Sequence, residues 1–368
     1  MHARTRFVPS SKAEAHDDVH DHAGRRHYYE TIAPLHLTPL WESLHALVPR
    51  EPHTSALPAH WRYAALRPHL MRAGTLISAE EAVRRVLIFE NPALSGQSCI
   101  TQSLYAGLQL IMPGEIAPSH RHTQSALRFV VEGDGAYTAV DGERATMHPG
   151  DFLITPSWTW HDHGNESDAP MVWLDGLDIP MLRFFDAGFA ENDTSASQSV
   201  TRAEGSSFAR YGANMGPLPS RGKEDPSSTK TSPIFSYPYQ RTREALAKLA
   251  HTAAIDAWDG VKLRYINPMT GGWAMPTLGP FMQLLPQGFV AKPQRATDGI
   301  VYSVVEGRGR ARIWRGDASW TFDFSSRDHF VVPSWHTLSL EADEESVLFG
   351  FSDRPVHEAL GIHREERM

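Results

Sequence analysis

The sequence is poor in cysteine and contains no long block of one charge sign. Cys99 is the only cysteine among 368 residues, which excludes an intrachain disulfide and any thiolate-rich zinc or iron–sulfur site. The formal net charge is −8 and no Lys/Arg-rich stretch occurs, so nucleic acid is not an expected partner. No apolar run approaches the roughly eighteen residues of a membrane span, and the N-terminal stretch lacks the apolar core of a secretory signal. We therefore expect a cytoplasmic protein without a membrane partner.

Hydrophobic residues make up 41% of the chain, which is enough to form the cores of two domains. The first segment is polar, with mixed charges and scattered histidines, and is expected to be flexible. A helical pattern follows, in which Ser78 and Glu81 have the spacing of a capping box. The expected organisation is a flexible arm (1–28), a helical N-terminal segment (29–96), a first β domain (97–190), a linker (191–240) and a second β domain (241–368).

The two β segments resemble each other. In both, short apolar runs alternate with Gly, Asp, Pro and Asn, which is typical of a β-sandwich or barrel. VVEGDG at 130–135 recurs as VVEGRG at 304–309, and DFLITPSW at 151–158 recurs as DHFVVPSW at 328–335. Because the two matched blocks occur in the same order and at nearly the same spacing, the sequence predicts a duplicated domain.

Three histidines in the first β domain have the spacing of metal ligands. His120 and His122 lie two residues apart, so on a strand both side chains point to one face. A later strand supplies His161, which follows Gly150 and Pro156. These spacings resemble the two motifs of the cupin superfamily. The resemblance implies an all-β bicupin fold, in which two double-stranded β-helix (jelly-roll) barrels follow an N-terminal helical segment.

The metal site departs from the usual cupin pattern because it lacks a carboxylate. Cupins usually carry a glutamate ligand four or five residues after the second histidine, where this chain has Ala126 and Leu127. Neutral imidazoles leave the ion its full positive charge, which favours a substrate with an anionic chelating group. In the second copy the three histidines map to Gln294, Ala296 and Leu338. We therefore expect one metal ion per chain.

The region around these motifs resembles the gentisate 1,2-dioxygenase family of bicupins. The matching stretch is LYAGLQLIMPGEIAPSHRHTQSALRFVVEGDGAYTAVDGERATMHPGDFLITPSWTWHDHGNE, preceded by VRRVLIFENP and followed by WLDGLDIP. The match is close over the first β domain, looser over the second and slight in the N-terminal arm. It implies Fe(II), O2, cleavage of a 2-hydroxybenzoate ring and a homotetramer. For gentisate, cleavage between the carboxyl- and hydroxyl-bearing carbons gives maleylpyruvate.

Several residues near the motifs are candidates for substrate binding. Arg128 follows the second histidine by six residues and shares its face on a regular strand, where a planar guanidinium suits a substrate carboxylate. Arg84 and Arg85 precede the apolar run VLIF, and the resemblance suggests that one of them, with Arg84 preferred over Arg85, closes over the substrate. Tyr105 and Gly107 are expected to line the pocket, with the glycine leaving room for the ring. Trp160 flanks the third metal ligand as a candidate pocket wall.

Two further residues are candidates for catalysis. His163 lies two residues beyond His161 and could accept the proton of a substrate hydroxyl, because an imidazole titrates near neutral pH. The alternative is that His163 orients a metal ligand. Asp175 could hydrogen-bond such a histidine or a 5-hydroxyl group of the substrate.

The residues leave other functions open. Salicylate or 1-hydroxy-2-naphthoate could replace gentisate as the substrate, because the pocket walls decide this choice. A non-catalytic cupin that binds a metal and a small acid is an alternative of another class. A Zn(II)- or Mn(II)-dependent isomerase on the same fold would consume no oxygen.

Overall fold

The structure is a computed structural model that describes residues 22–213 and 230–368. The chain divides into two compact units after Glu51. The helices are α1 (His22–Ile32), α2 (Leu40–Leu47), α3 (Tyr63–Leu76), α4 (Ala79–Ala82), α5 (Ile179–Phe184), α6 (Ser206–Tyr211), α7 (Tyr239–Thr252) and α8 (Arg354–Ala359), with a 3-10 turn at Ala33–Leu35. No helix within these described ranges is long and apolar enough to cross a membrane.

The strands before the second half of the chain are β1 (Ala59–Trp61), β2 (Val86–Ile88), β3 (Tyr105–Ile111), β4 (Ile116–His122), β5 (Ala126–Glu132), β6 (Ala136–Val140), β7 (Glu143–Thr146), β8 (Phe152–Thr155), β9 (His161–Asn165), β10 (Met171–Leu177) and β11 (Ala190–Asn192). The remaining strands are β12 (Ser236–Tyr237), β13 (Val261–Arg264), β14 (Gly279–Leu285), β15 (Gln294–Ala296), β16 (Ile300–Glu306), β17 (Arg308–Arg315), β18 (Ala318–Ser325), β19 (His329–Val332), β20 (Thr337–Ala342), β21 (Ser346–Ser352) and β22 (Glu365–Arg367).

These strands form two antiparallel jelly-roll barrels of two sheets each. The first barrel has the sheets β12-β8-β5-β10-β3-β2 and β11-β4-β9-β6-β7. The second has β1-β19-β16-β21-β14-β13 and β18-β17-β20-β15-β22. The equivalent strands occupy equivalent positions, so the predicted bicupin fold is confirmed.

The main apolar core lies between the two barrels. Phe129 of β5 stacks on Phe349 of β21, with ring centroids 4.2 Å apart and ring planes at 3°. Gly176 permits this close approach, because a Cβ atom there would lie 2.7 Å from the ring of Phe351. The alternation of strand residues therefore buries one face of each barrel against the other barrel.

The two halves exchange their leading strands. β1, which precedes the first barrel in sequence, pairs with β19 of the second barrel, and β12 pairs with β8 of the first. The backbone N–H of Tyr63 donates to Asp328 at 2.8 Å, and that of Tyr239 donates to Asp151 at 2.8 Å. Since these contacts are equivalent in the two halves, the duplicated unit includes the strand and helix ahead of each barrel.

The segments between the β domains are more structured than their composition suggested. The region expected to be helical (29–96) also contains strands β1 and β2, and the expected linker (191–240) contains β11, α6 and β12. In the expected flexible arm, residues from His22 onward form α1, while residues 1–21 lie outside the described residues. Sequence composition missed these elements because strands of two or three residues carry no periodic signal and depend on pairing with a distant barrel.

Removing the stacked ring at the barrel interface should destabilise the protein. We expect Phe349→Ala to lower the free energy of unfolding by about 3–5 kcal/mol, because it opens a cavity in a close-packed core. The matched control is Phe184→Ala, which removes a ring that is 81% exposed and should change stability by less than about 0.5 kcal/mol. Denaturant unfolding followed by tryptophan fluorescence measures both. Equal effects for the two variants would contradict this account of the core.

Candidate metal centre and active site

The three predicted metal ligands converge in the first barrel. His120 and His122 end strand β4, and His161 begins strand β9, with His120 directly opposite His161 in the β4–β9 register. One nitrogen of each ring lies within 4.8 Å of one nitrogen of the others. Their ring centroids are 4.3 to 5.2 Å apart. Strand pairing has thus joined residues that are far apart in sequence.

Backbone carbonyl groups orient the three rings. Nδ1 of His122 lies 2.8 Å from the carbonyl oxygen of Gln124, and Nδ1 of His161 lies 2.9 Å from that of Thr159. Nδ1 of His120 lies 3.2 Å from the carbonyl oxygen of Pro118 in the same way. A carbonyl oxygen only accepts hydrogen bonds, so Nδ1 of His122 and Nδ1 of His161 donate and their Nε2 atoms keep a lone pair. Nδ1 of His120 also contacts the guanidinium of Arg84, which only donates.

Burial keeps these histidines neutral. Burial lowers the pKa of His120 to about 3 and that of His122 to about 4, and it holds the pKa of His161 well below its usual range. Nε2 of His161 is also buried without a hydrogen-bond partner among the described residues. A neutral ring with a free, buried lone pair is ready to bind a metal ion without first losing a proton.

The donor set fits a catalytic metal ion. Within the described ranges, the three histidines form the one group of at least three His, Cys, Asp or Glu side chains close enough to hold an ion. Ala126 and Leu127 are buried on β5, where many cupins carry a carboxylate ligand. Three protein ligands leave coordination positions free for substrate, unlike a closed structural site.

Arg128 provides a buried positive charge beside the triad. Its side chain is 4% exposed and donates to Oγ1 of Thr155, and its Nε lies 3.7 Å from Oδ1 of Asp175. Nε has no hydrogen-bond partner in the part of the chain that is described. Burial is the largest cause of the low pKa of His161, and the positive charge of Arg128 is the second largest. The two side chains therefore face one space, here called the first-barrel chamber, which is bounded by the triad, Arg128 and Asp175.

Asp175 is buried in the same chamber. Burial raises its pKa to about 6, against the lowering effect of Arg128. Nε1 of Trp173 donates a hydrogen bond to Oδ1 of Asp175 at 3.0 Å. The carboxyl group is therefore fixed in orientation, and its pKa lies closer to neutral pH than that of an ordinary aspartate.

The structure separates the two neighbouring arginines before β2. Arg84 is half-buried, donates hydrogen bonds to the carbonyl oxygen of Pro118 at 3.1 Å and contacts Nδ1 of His120. Burial, followed by repulsion from Arg128, lowers the pKa of Arg84 to about 9, so it stays protonated at neutral pH. Arg85 instead forms an ion pair with Glu115. Arg84 is thus the one that reaches the triad.

His163 lies deeper in the first barrel than the triad. It is fully buried, and neither ring nitrogen has a hydrogen-bond partner within the described residues. Its ring lies 5.4 Å from that of Trp173, in an edge contact, and 5.8 Å from that of His161. Burial, with a further contribution from Arg128, holds its pKa well below the usual range. A neutral, unpartnered imidazole is able to accept a proton or a hydrogen bond.

Three other candidates lie in different environments. Tyr105 is buried, and its burial, followed by the charge of Asp175, raises the pKa of its phenol. Gly107 lies opposite Asp175, but a Cβ atom there would meet Cγ1 of Val86 at 2.7 Å. The glycine therefore accommodates strand β2 rather than the substrate ring. Trp160, which directly precedes β9, packs its ring against the guanidinium of Arg121, 4.6 Å from the ring centroid.

Sequence reasoning missed three polar residues of the chamber. Trp173 binds Asp175, and Thr155 binds Arg128. Oγ1 of Thr138 is buried without a hydrogen-bond partner in the described ranges, directly across from His163 in the β6–β9 register. The i, i+2 spacing of Trp173 and Asp175 was a usable signal, since it puts both on one strand face. Thr138 and Thr155 have no sequence signal, because only barrel closure brings them inside.

Known proteins share this fold and site region. The model of the cupin domain matches residues 107–177. The chain is 52% identical over 343 residues to gentisate 1,2 dioxygenase 1 from Aquipseudomonas alcaligenes, which covers 93% of this chain and 96% of that protein. It is 36% identical over 320 residues to a 1-hydroxy-2-naphthoate 1,2-dioxygenase from Nocardioides sp., which covers 86% of this chain and 80% of that protein.

A solved structure of a related enzyme has the same overall fold. Salicylate 1,2-dioxygenase from Pseudoaminobacter salicylatoxidans, in a structure of its adducts with gentisate, superposes with a TM-score of 0.84 at 35% identity and covers 94% of each chain. Two jelly-roll barrels with a three-histidine group in one of them define a metal-binding bicupin. The chain belongs to the gentisate 1,2-dioxygenase family of ring-cleaving enzymes.

Loss of one triad histidine should remove the metal ion. Removing a residue that only orients a metal ligand lowers metal affinity about 10- to 100-fold. His161→Ala removes a ligand itself and should lower metal affinity by more than that. Metal content after dialysis, measured by plasma mass spectrometry, tests this expectation. The matched control is His336→Ala, which removes a buried histidine of the second barrel and should leave metal content unchanged. Retention of metal by His161→Ala would exclude the triad as the site.

Proposed function

We propose that this protein is a gentisate 1,2-dioxygenase, which uses Fe(II) and O2 to cleave gentisate between its carboxyl- and hydroxyl-bearing carbons and gives maleylpyruvate. The observation that carries the proposal is a buried group of three neutral histidines with two arginines, Arg84 and Arg128, facing the same chamber. Identity of 52% to a relative that bears this name supports the choice of substrate.

The histidine triad would hold the iron ion. Imidazole nitrogen suits Fe(II), and a site without thiolate or carboxylate leaves the ion its full double positive charge. Fe(II) supplies the electron transfer between an electron-rich ring and O2, which no side chain of this chain is able to supply. The barrel excludes bulk water from this reaction, because all three ligands are buried or half-buried.

Arg128 and Arg84 would bind the carboxylate of gentisate. The guanidinium groups of the buried Arg128 and the half-buried Arg84 both act on the buried carboxyl group of Asp175, whose pKa burial raises to about 6. Buried charges require partners, so this excess of positive charge favours an anionic ligand. The free Nε of Arg128 adds a donor in the fork geometry that suits a carboxylate.

His163 would accept the proton of the substrate 2-hydroxyl group. Its ring is neutral, and both nitrogens lack partners within the described residues. Proton transfer to this ring would give the substrate its second negative oxygen as it binds. Asp175, oriented by Trp173, would accept a hydrogen bond from the 5-hydroxyl group together with Tyr105. That last contact distinguishes gentisate from salicylate, which lacks the 5-hydroxyl group.

We also propose a homotetramer in the cytoplasm, which is what the family resemblance implies. The substrate alternatives are salicylate and 1-hydroxy-2-naphthoate, since relatives with 34% to 36% identity are named for 5-aminosalicylate and 1-hydroxy-2-naphthoate. A non-catalytic cupin that only binds a metal and a small acid is the contrasting class.

Oxygen uptake tests the proposed function. The protein is loaded anaerobically with Fe(II), and an oxygen electrode records uptake after gentisate is added. We expect one O2 consumed per gentisate, with the ultraviolet absorbance of the ring-cleavage product growing in step. Salicylate is the matched comparison and should be turned over much less efficiently, because it leaves Asp175 and Tyr105 without a partner. Equal turnover of salicylate would contradict gentisate specificity, and absence of uptake would favour the binding protein.

Arg128→Ala should mainly weaken substrate binding. Loss of one partner of a buried, charge-assisted pair costs about 2–5 kcal/mol, so kcat/KM for gentisate should fall by about 30-fold or more, chiefly through KM. Steady-state oxygen uptake measures the change. The control is Arg312→Ala, which removes a half-exposed arginine of the second barrel and should leave both constants unchanged. An unchanged KM in Arg128→Ala would remove Arg128 from the binding site.

A further inference from the structure

The second barrel contains a cavity at the place that corresponds to the metal site. Gln294 lies opposite Leu338 in the β15–β20 register, as His120 lies opposite His161 in the first barrel. Gln294, Leu338 and Ala296, which maps to His122, all line a cavity of about 310 Å³. This volume lies within the range of small-molecule pockets, which begins at about 300 Å³. The second barrel has lost the ligands of a metal ion but has kept an internal space.

Aromatic side chains form one wall of this cavity. Phe281 lies opposite Gly350 in the β14–β21 register, at the position of Gly107 opposite Asp175 in the first barrel. Tyr302 packs edge-on against Phe281, with ring centroids 5.7 Å apart. Both rings line the cavity. These two rings offer one apolar wall that suits the face of an aromatic ligand, within a lining that also contains charged side chains of both signs.

Two cations enter the cavity from one strand. Lys262 and Arg264 lie two residues apart on β13 and both line the cavity. Nζ of Lys262 lies 4.3 Å from the ring centroid of Phe281, and the guanidinium of Arg264 lies 5.2 Å from that of Trp273. β13 is the counterpart of β2, which Arg84 and Arg85 precede in the first barrel. Each barrel therefore has cations on or beside the equivalent edge strand.

Among the described lysine and arginine side chains that line the cavity, Arg264 is the one that lacks a carboxylate partner. Lys262 pairs with Asp259 at 3.1 Å, and Arg354 pairs with Glu358 at 2.8 Å. Arg264 instead donates to the carbonyl oxygen of Gly271 at 3.2 Å and forms no ion pair with any described residue. Its remaining donors are available to an anion at the mouth of the cavity, with the indole of Trp273 behind them.

We propose that the second barrel is a binding site for a small aromatic carboxylate. The carboxylate group binds Arg264 at the mouth of the cavity, and the ring packs against Phe281 and the apolar side chains around it. The site needs no metal ion, since Gln294, Ala296 and Leu338 offer no metal ligand set. It therefore accepts acids without the ortho-hydroxyl group that chelation in the first barrel requires.

Benzoate is the probe that tests this site. Binding is measured by equilibrium dialysis of labelled benzoate with the Fe(II)-loaded full chain under argon. We expect the wild type and Arg128→Ala to retain a benzoate site that Arg264→Gln weakens at least about tenfold, because a hydrogen bond to a charged group is lost. Ala296→Phe, which fills the cavity, should abolish that site. The matched control is Arg308→Gln, an exposed arginine of the same barrel outside the cavity.

Three results would overturn the proposal. One is the loss of all benzoate binding in Arg128→Ala, which would assign it to the first barrel. Another is unchanged binding in both Arg264→Gln and Ala296→Phe, with near-ultraviolet circular dichroism showing that the variants are folded. The third is equal displacement of benzoate by succinate, which would exclude recognition of the ring. The count of bound benzoate does not depend on oxygen uptake, so this proposal and the proposed dioxygenase activity fail separately.

Discussion

The convergence of three imidazole rings across the β4–β9 pair is the constraint on which the rest of this molecule depends. Strand pairing places His120 opposite His161, and backbone carbonyls fix each ring through Nδ1. Carbonyl oxygens only accept hydrogen bonds, so the backbone decides the tautomer of His122 and of His161, whose Nε2 atoms keep a lone pair. A metal-binding group of this kind requires a closed barrel, because open strands would neither exclude water nor hold three rings on one point.

The charges around the first-barrel chamber support the anionic ligand that we propose for it. Arg128 is buried and Arg84 is half-buried, and the buried carboxyl group of Asp175 bounds the chamber with them. Burying cations without equal negative charge is costly, so the chamber favours an anion that completes the balance. Trp173 and Thr155 fix Asp175 and Arg128 in place, which limits the reorganisation that binding requires.

Duplication gave the two barrels one scaffold with different interiors. Each half contributes a strand to the other barrel, and the tyrosine that begins each helix ties its backbone to an aspartate of the opposite barrel, as Tyr63 does with Asp328. The barrels therefore support each other through exchanged strands and a shared apolar core. With that support in place, Phe281 and Tyr302 occupy the positions of Gly107 and Arg128 in the second barrel, and a cavity persists there.

The sequence by itself determined the bicupin fold, the triad and the loss of that triad in the second copy. Short motifs at fixed spacing carry these features, since i, i+2 residues share a strand face. Tertiary structure alone decided that Arg84 rather than Arg85 reaches the triad, that Trp160 packs against Arg121, and that Gly107 accommodates β2. These outcomes depend on side-chain direction and on strands that pair across long sequence separations. Local pattern does not encode such contacts, because they form only when the barrel closes.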